Sequence, residues 1–459
     1  MHILPQLRKL EEKYADVLTV IGVHSAKFNA EKSSESVREA VLRYDIQSPV
    51  VNDVDFEIWK SYAARAWPTL MFLDPSGKVI GRHEGEFPFD ALDGVIAGMI
   101  EEHEPEGLIK RGPFALAPES NSTEDLSFPG KITADAEREW LVISDSNHHR
   151  VLLSGDVKPK ASDIHVEAII GNGESPLAVG DKLGVYGARK FTDPLFDNPQ
   201  GAVIDGDTLY VADAGTHTIV KVSLISGLAE TIAGTGEQSL YRHAGGDALK
   251  VPLNSPYDLS LDDGTLYIAM AGFHQLWTMD LAERTVAPFA GDGGEDIVDG
   301  LKNEARLAQP YGVEVSNNAV FFVDSETSSI RVAAIAEEGR VVTLVGTGLF
   351  DFGDHNGVGK EALLQHPQGL IVHNDMIYIA DTYNNKIKSI AIGSLEVKTV
   401  AGYGEPGTRE GAASIARFNE PADLAIIGDQ IYIADTNNHR VMVYELDTGE
   451  VYSLNLKGL

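Results

Sequence analysis

One pattern, written six times, constrains this chain more than any other feature. A proline and two residues lead into a short apolar run, a turn, and a second apolar run that ends near an aspartate. The copies read FPGKITADAEREWLVISDSNHHRV, NPQGAVIDGDTLYVADAGTHTIV, SPYDLSLDDGTLYIAMAGFHQLW, QPYGVEVSNNAVFFVDSETSSIRV, HPQGLIVHNDMIYIADTYNNKIKS and EPADLAIIGDQIYIADTNNHRVMV. Their prolines, Pro129, Pro199, Pro256, Pro310, Pro367 and Pro421, lie 70, 57, 54, 57 and 54 residues apart. Asp145, Asp213, Asp324, Asp381 and Asp435 end the second run, with Met270 in that place in the third copy. The last two aspartate steps are again 57 and 54, so the register does not rest on the prolines alone.

Each copy holds four candidate strands; in the fifth they fall near 368–373, 376–381, 386–391 and 396–401. Four short strands per repeat, glycine turns and no intervening long helix predict propeller blades. A solenoid is the competing arrangement, but it would need polar capping repeats, and none is visible. Every copy owns four strands, the last ending in EVYSLNL. The expectation is therefore six self-contained blades over 128–459, with the ring closed by blade-to-blade packing and no strand shared between the termini.

Composition narrows the function classes. The net charge of −32 repels phosphate backbones, and no Lys/Arg cluster offsets it locally, so nucleic acid is not an expected partner. No apolar run approaches the roughly 20 residues of a membrane span. Cysteine is absent, which excludes disulfides, thiolate zinc sites and cysteine catalysis within these 459 residues. That composition, with no signal-peptide pattern at the start, points to the cytoplasm.

The front third is different. VLTVIGVH (17–24) reads as a buried strand, SSESVREAVLRYDI as an amphipathic helix capped by Ser33 or Ser34, and FEIWKSYAARA as another helix. AWPTLMFLDPSGKVIGRHEGE reads as a hairpin around Asp74–Gly77, and a helix follows from Phe89. Alternating strands and helices make this an α/β segment. The chain opens on MHILPQLRKLEEKY, a helical stripe without a capping residue or a preceding strand.

Trp67-Pro68-Thr69 ahead of an apolar strand resembles the thioredoxin-like fold, in which such a proline is cis and faces a Cys-x-x-Cys pair. Leu4-Pro5-Gln6-Leu7 is similar to the later part of the helix that carries those cysteines. The resemblance implies a domain over 1–104 that lacks its first strand and reactive thiols. An upstream start of the reading frame and a domain that has lost its redox end are both consistent with this. A Pro/Glu-rich linker is expected at 105–127.

Pro-x-Gly at the blade start, the LYVAD and IYIAD strands and the TIAG and TVAG strand ends resemble NHL repeats. A thioredoxin-like domain followed by an NHL propeller resembles the NHL repeat-containing protein 2 family. IGVHSAKF, VLRYDI, IAMAGFHQLW and FGDHNGVGKEALLQHPQGL carry that likeness across the chain. It implies thiol–disulfide or peroxide-related work for the family, with Trp67, Pro68 and Thr69 facing the reactive pair; whether this chain is an enzyme stays open.

Within the propeller, aligning the copies on the aspartate brings His149, His217, His274, Ser328, Asn385 and His439 to one position. Arg150, Lys386 and Arg440 stand next to it. Zinc needs ligands about 2 Å away, and one position on successive blades lies on a ring, so these are expected as turn residues on a binding face and not as a metal centre. Asp292, Asp296, Asp299 and Asp354 fit no defined calcium loop. No catalytic residue, metal or cofactor is expected, and a protein or peptide on the propeller face is the expected partner. A pure binding protein is the alternative function. A propeller hydrolase or lyase is the second, disfavoured because the first strands GAVI, DLSL, GVEV, GLIV and DLAI look mostly apolar.

Overall fold

Leu141, Val142 and Ile143 are consecutive and all buried, yet they do not share one core. Leu141 and Ile143 pack with Tyr432, Ala434 and Val441, whereas Val142 packs with Leu209, Val211 and Val220. Side chains alternate across a strand, so a strand buried on both faces reads as an unbroken apolar run. The same holds in the last copy, where Ile431 and Ile433 face one neighbour and Tyr432 and Ala434 the other. Each copy is thus a sheet sandwiched between two others.

The computed structural model describes residues 3–85, 87–112, 124–158, 160–178 and 185–459. The chain divides into two compact units, 1–122 and 123–459. Part of the expected linker, 113–123, lies outside the described residues.

The second unit is β-propeller-like. Its repeated sheets are four-stranded antiparallel meanders that start at Pro129, Pro199, Pro256, Pro310, Gly369 and Pro421. The first strands lie side by side in sequence order, and that of the sixth sheet returns to that of the first. In sheets two to six, two residues of the preceding connection add a short fifth strand to the outer edge, as Gly300–Leu301 do beside Arg340–Val341.

The first sheet departs from this scheme, and with it the expected closure. Its outer strand, Asp163–Ile170, pairs in parallel with the end of the chain: Asn455 with Asp163, Leu456 with Ile164, Lys457 with His165. Closure therefore includes hydrogen bonds between the first and last sheets besides apolar packing. An outer strand leaves unpaired backbone groups, and the extended tail of the last strand covers them where the other sheets use their upstream connection.

The first unit consists of α1 (Leu4–Lys13), β1 (Gly22–His24), α2 (Ser34–Arg43), β2 (Val50–Asn52), α3 (Glu57–Ser61), β3 (Thr69–Leu73), β4 (Val79–Glu84) and α4 (Phe89–His103). Pro5 sits in the first turn of α1, where its missing N–H is not needed. Ser33 caps α2 by accepting from the Ser36 N–H at 3.0 Å. A small core of Leu10, Leu92 and Ile96 joins α1 to α4.

β1 pairs in parallel with β2, and β3 antiparallel with β4. The strand expected from residue 17 forms only at 22–24, because its ladder extends only as far as its partner 50–52 does. The helix expected from Phe56 stops at Ser61: Phe56 and Ala63 both take left-handed backbone conformations that bracket it.

Candidate functional site

The repeated aspartate lies at the end of the second strand, and its carboxylate turns back to the segment that precedes its own sheet. Asp145 accepts from the Ser127 N–H at 2.6 Å, Asp324 from Ala308 at 2.6 Å, Asp381 from Gln365 at 2.8 Å and Asp435 from Asn419 at 2.7 Å. Asp213 accepts from both Asp197 and Asn198. Each carboxylate is fully buried and fixes where the chain enters its sheet.

Four of these carboxylates face a cation; one does not. The Arg150 and Arg440 Nε atoms donate to Asp145 and Asp435, each at 2.8 Å. Asp324 takes a 2.8 Å bond from Arg331 and Asp381 a 2.9 Å contact from Lys388, both cations being completely buried. Asp213 has only the Thr216 hydroxyl besides its two backbone donors. Burial, followed by the nearby Asp197 charge, pushes its carboxyl up to about 6.

The aligned histidine position forms joints between successive sheets. His217 Nδ1 accepts from the Ser255 N–H at 3.1 Å, His274 Nδ1 from Gln309 at 3.3 Å and His439 Nδ1 from Phe128 at 3.2 Å. Ser328 and Asn385 do the same through side-chain oxygens, accepting from His366 and Glu420. His149 inverts the polarity, its Nδ1–H donating to the Asp197 carbonyl. Each of these residues has positive φ, and so do the partners Phe128, Ser255, Gln309, His366 and Glu420. The six are therefore distributed over different boundaries, and the structure does not bring them together.

The acidic loops are likewise engaged. Asp299 receives Arg331 Nη2 at 3.1 Å and the Thr343 hydroxyl at 2.7 Å; Asp292 receives the Arg306 Nε at 3.1 Å. Asp354 holds both Lys386 and Lys388. Asp296 accepts from the Ile297 N–H. Among the described residues, no group of three or more His, Asp or Glu side chains is placed to hold a metal ion.

The first strands carry charge, contrary to their apolar look in sequence. Two residues after each blade-start proline stand Lys131, Gly201, Asp258, Gly312, Gly369 and Asp423. Lys131 Nζ reaches Asp258 Oδ2 at 3.3 Å, the Gln368 carbonyl at 3.0 Å and Asp423 Oδ1 at 3.4 Å. One side chain of the first sheet thus touches the third, fifth and sixth, which places its ammonium at the centre of the ring. Asp258 also accepts from the Val313 N–H and Asp423 from the Ile132 N–H, both at 3.0 Å. Glu314, further along its first strand, accepts from Val372 at 2.8 Å. Glycine is required next to the aspartates: a Cβ on Gly201 would lie 2.1 Å from Asp258 Oδ1, and one on Gly369 2.2 Å from Asp423 Oδ1.

In the first unit the Trp67–Pro68 bond is cis. The Trp67 Nε1–H donates to the Ser25 carbonyl at 2.8 Å, and its ring lies 4.4 Å from that of Trp59. The Thr69 hydroxyl donates to the Ala66 carbonyl at 2.6 Å. Ser25 and Asp53 are bonded beneath this site at 2.9 Å.

Sequence reasoning missed Arg331, Lys388 and the first-strand charges Lys131, Asp258, Asp423 and Glu314. Arg331 and Lys388 sit seven residues after their aspartates, in strands whose equivalents are Leu152, Val220, Trp277 and Met442. A charged residue at a shared position that is otherwise apolar was the available signal for them, as it was for Lys131, Asp258 and Asp423.

Comparisons with known proteins bear on the whole chain. The NHL repeat family profile matches residues 418–444. Protein SUPPRESSOR OF QUENCHING 1, chloroplastic, from Arabidopsis thaliana is 36% identical over 100% of this chain and 44% of its own length. NHL repeat-containing protein 2 from Gallus gallus is 35% identical over 98% of this chain and 65% of its own. The chain spans less than two thirds of either relative. Thiol-disulfide oxidoreductase ResA from Bacillus thuringiensis is 32% identical over 20% of this chain and 50% of its own length. A solved structure of unknown function from Bacteroides thetaiotaomicron superposes with a TM-score of 0.50 at 18% identity, over 71% of this chain and 70% of its own, a likeness of fold alone.

Proposed function

Since the chain belongs to the NHL repeat-containing protein 2 family, we propose that it joins a thioredoxin-like unit at 1–104, through 105–127, to a six-bladed NHL propeller at 128–459 that works as an interaction scaffold. Its partner is a protein or peptide on the face that carries the blade starts, the aspartate turns and the inter-blade loops. One observation carries this reading. The polar repeat positions that could have done chemistry are engaged in joints within and between sheets. Of the large apolar side chains that the loops of that face expose, the most exposed are aromatic: Tyr241 at 74%, Phe350 at 68% and Tyr403 at 53%. Exposed aromatic side chains on a rigid frame are characteristic of protein interfaces.

Thiol chemistry would need cysteine, which these 459 residues do not contain. The similarity to a thiol-disulfide oxidoreductase supports the thioredoxin-like reading, in which Trp67, Pro68 and Thr69 form a contact surface. The cytoplasm is the proposed location. Among the described residues no helix is long and apolar enough to cross a membrane.

Selection of a displayed peptide library on the immobilised protein tests the scaffold. Selected peptides should lose about tenfold or more in affinity to a Tyr241→Ala, Phe350→Ala, Tyr403→Ala variant, roughly 1.4 kcal/mol. Unchanged affinity, or catalysed reduction of insulin disulfides by this chain, defeats the reading.

A further inference from the structure

The axial charges do not balance. Lys131 is one cation among three carboxylates, Asp258, Glu314 and Asp423, on the first strands of sheets one, three, four and six. At the neighbouring positions the second and fifth sheets contribute Gly201 and Val203, Gly369 and Ile371, none of them charged. The third adds Ser260, whose hydroxyl accepts from the Val315 N–H at 3.0 Å. Lys131, Asp258 and Asp423 are nearly inaccessible to solvent. Each carboxylate also accepts a backbone N–H from the next first strand round the ring: Val313, Val372 and Ile132. The cluster therefore bonds neighbouring sheets along the ring and opposite sheets across it.

We propose that Lys131, Asp258, Asp423 and Glu314 form a proton-operated tie across the axis, tight while Glu314 is neutral and loosened once it ionises. Lys131 touches both aspartates but makes no contact with Glu314, so ionised Glu314 is the carboxylate without a cation. A half-buried charge in that position, beside two aspartates, is costly. Burial raises the Glu314 carboxyl most, the Val372 N–H opposes this, and Asp258 and Asp423 add to it, bringing it to about 8. Asp423, which shares Lys131 with Asp258, is itself raised, by burial first; once both aspartates are ionised, loss of the Glu314 proton to solvent leaves a second uncompensated negative charge beside the bridge that Lys131 makes.

The sign follows from linkage. A carboxyl raised in the folded state binds a proton that the unfolded chain has already released, so stability is lost as pH rises from about 4 through about 8. Urea unfolding of the full chain and of Glu314→Gln, which keeps an oxygen for Val372, reads this directly. The variant should gain on the wild type by up to about tenfold in folding equilibrium per pH unit across that window, and no further above it. A ratio that stays constant with pH overturns the proposal. Hydrogen exchange in the wild type gives an answer that does not depend on the variant folding. Corrected for intrinsic rates, the amides of Ile132 and Val313 should exchange faster as pH passes about 8. Protection that holds steady through that pH overturns it equally.

Discussion

At the turns of the repeated unit, each buried aspartate is satisfied inside its own sheet; on the axis, each buried charge is satisfied by a different one. Asp435 bonds the approach to its own first strand at Asn419, whereas Lys131 takes its partners from the third, fifth and sixth sheets. The first arrangement can be copied, because each of the five copies that carry the aspartate brings donor and acceptor together. The second exists once, because only one ammonium can occupy the centre. Repetition therefore gives stability that is divided among five places, while the axis concentrates it at one.

The largest effect should come from breaking a turn pair in the fourth sheet. Arg331→Met leaves the Asp324 carboxylate buried without a cation and releases the loop held at Val298 and Asp299. A loss of about 3–5 kcal/mol is expected in urea unfolding, with much of it recovered when Asp324→Asn is added. If Arg331→Met matches the wild type, these turns do not depend on their cations.

Crowding the axis should cost somewhat less. Gly201→Ala puts a methyl group against the Asp258 carboxylate, and about 1–3 kcal/mol is expected. Gly393→Ala, where a Cβ would meet nothing within 4 Å and the backbone is not left-handed, controls for general loss of backbone freedom. Equal losses in the two would remove the steric argument.

A smaller and pH-dependent effect separates the second sheet from the fourth. Asp213 has no cation and titrates near 6 in the folded protein, so its contribution to stability falls as pH rises from about 4 through 6. Asp213→Asn should therefore be least favourable near pH 4 and improve relative to the wild type towards pH 7, by up to about 1.4 kcal/mol per pH unit. Thermal melts of the pair at several pH values would show whether that slope exists.

The smallest effect belongs to a joint. His439→Ala removes the acceptor of the Phe128 N–H, and about 1 kcal/mol is expected. Burial lowers the folded-state pKa of His274 and of His439. Both should stabilise fully above about 6.5 and lose that contribution as pH falls below it. An acid limb unchanged by His439→Ala would show that this joint does not titrate.

The same contrast explains what the sequence disclosed. The strands of the fifth copy, the Ser33 cap and the six-fold register were legible because each depends on neighbours in the chain: alternation, a capping hydroxyl, a turn glycine. What Lys131 bonds was not legible, since its aspartate partners lie 127 and 292 residues away. Arg331 stood out as a charge in an apolar strand, but the loop at Val298 and Asp299 that it holds lies more than 30 residues away. The three-residue length of β1 followed from a shortage of pairing, which a hydropathy pattern does not encode. The engaged histidines show a related limit: a shared repeat position gave their location, but only the facing backbone N–H groups disclosed what they bond.

The pairing of Asn455–Lys457 with Asp163–His165 also has a mechanical side. Its strands run in the same direction, so tension on the last strand, drawn along its own length, loads those bonds together in shear rather than opening them one by one. Such a fastening resists a pull and yields to peeling. A protein gripped at its last strand should rupture abruptly when that strand slides, and the sheets should then unravel in reverse order of the chain.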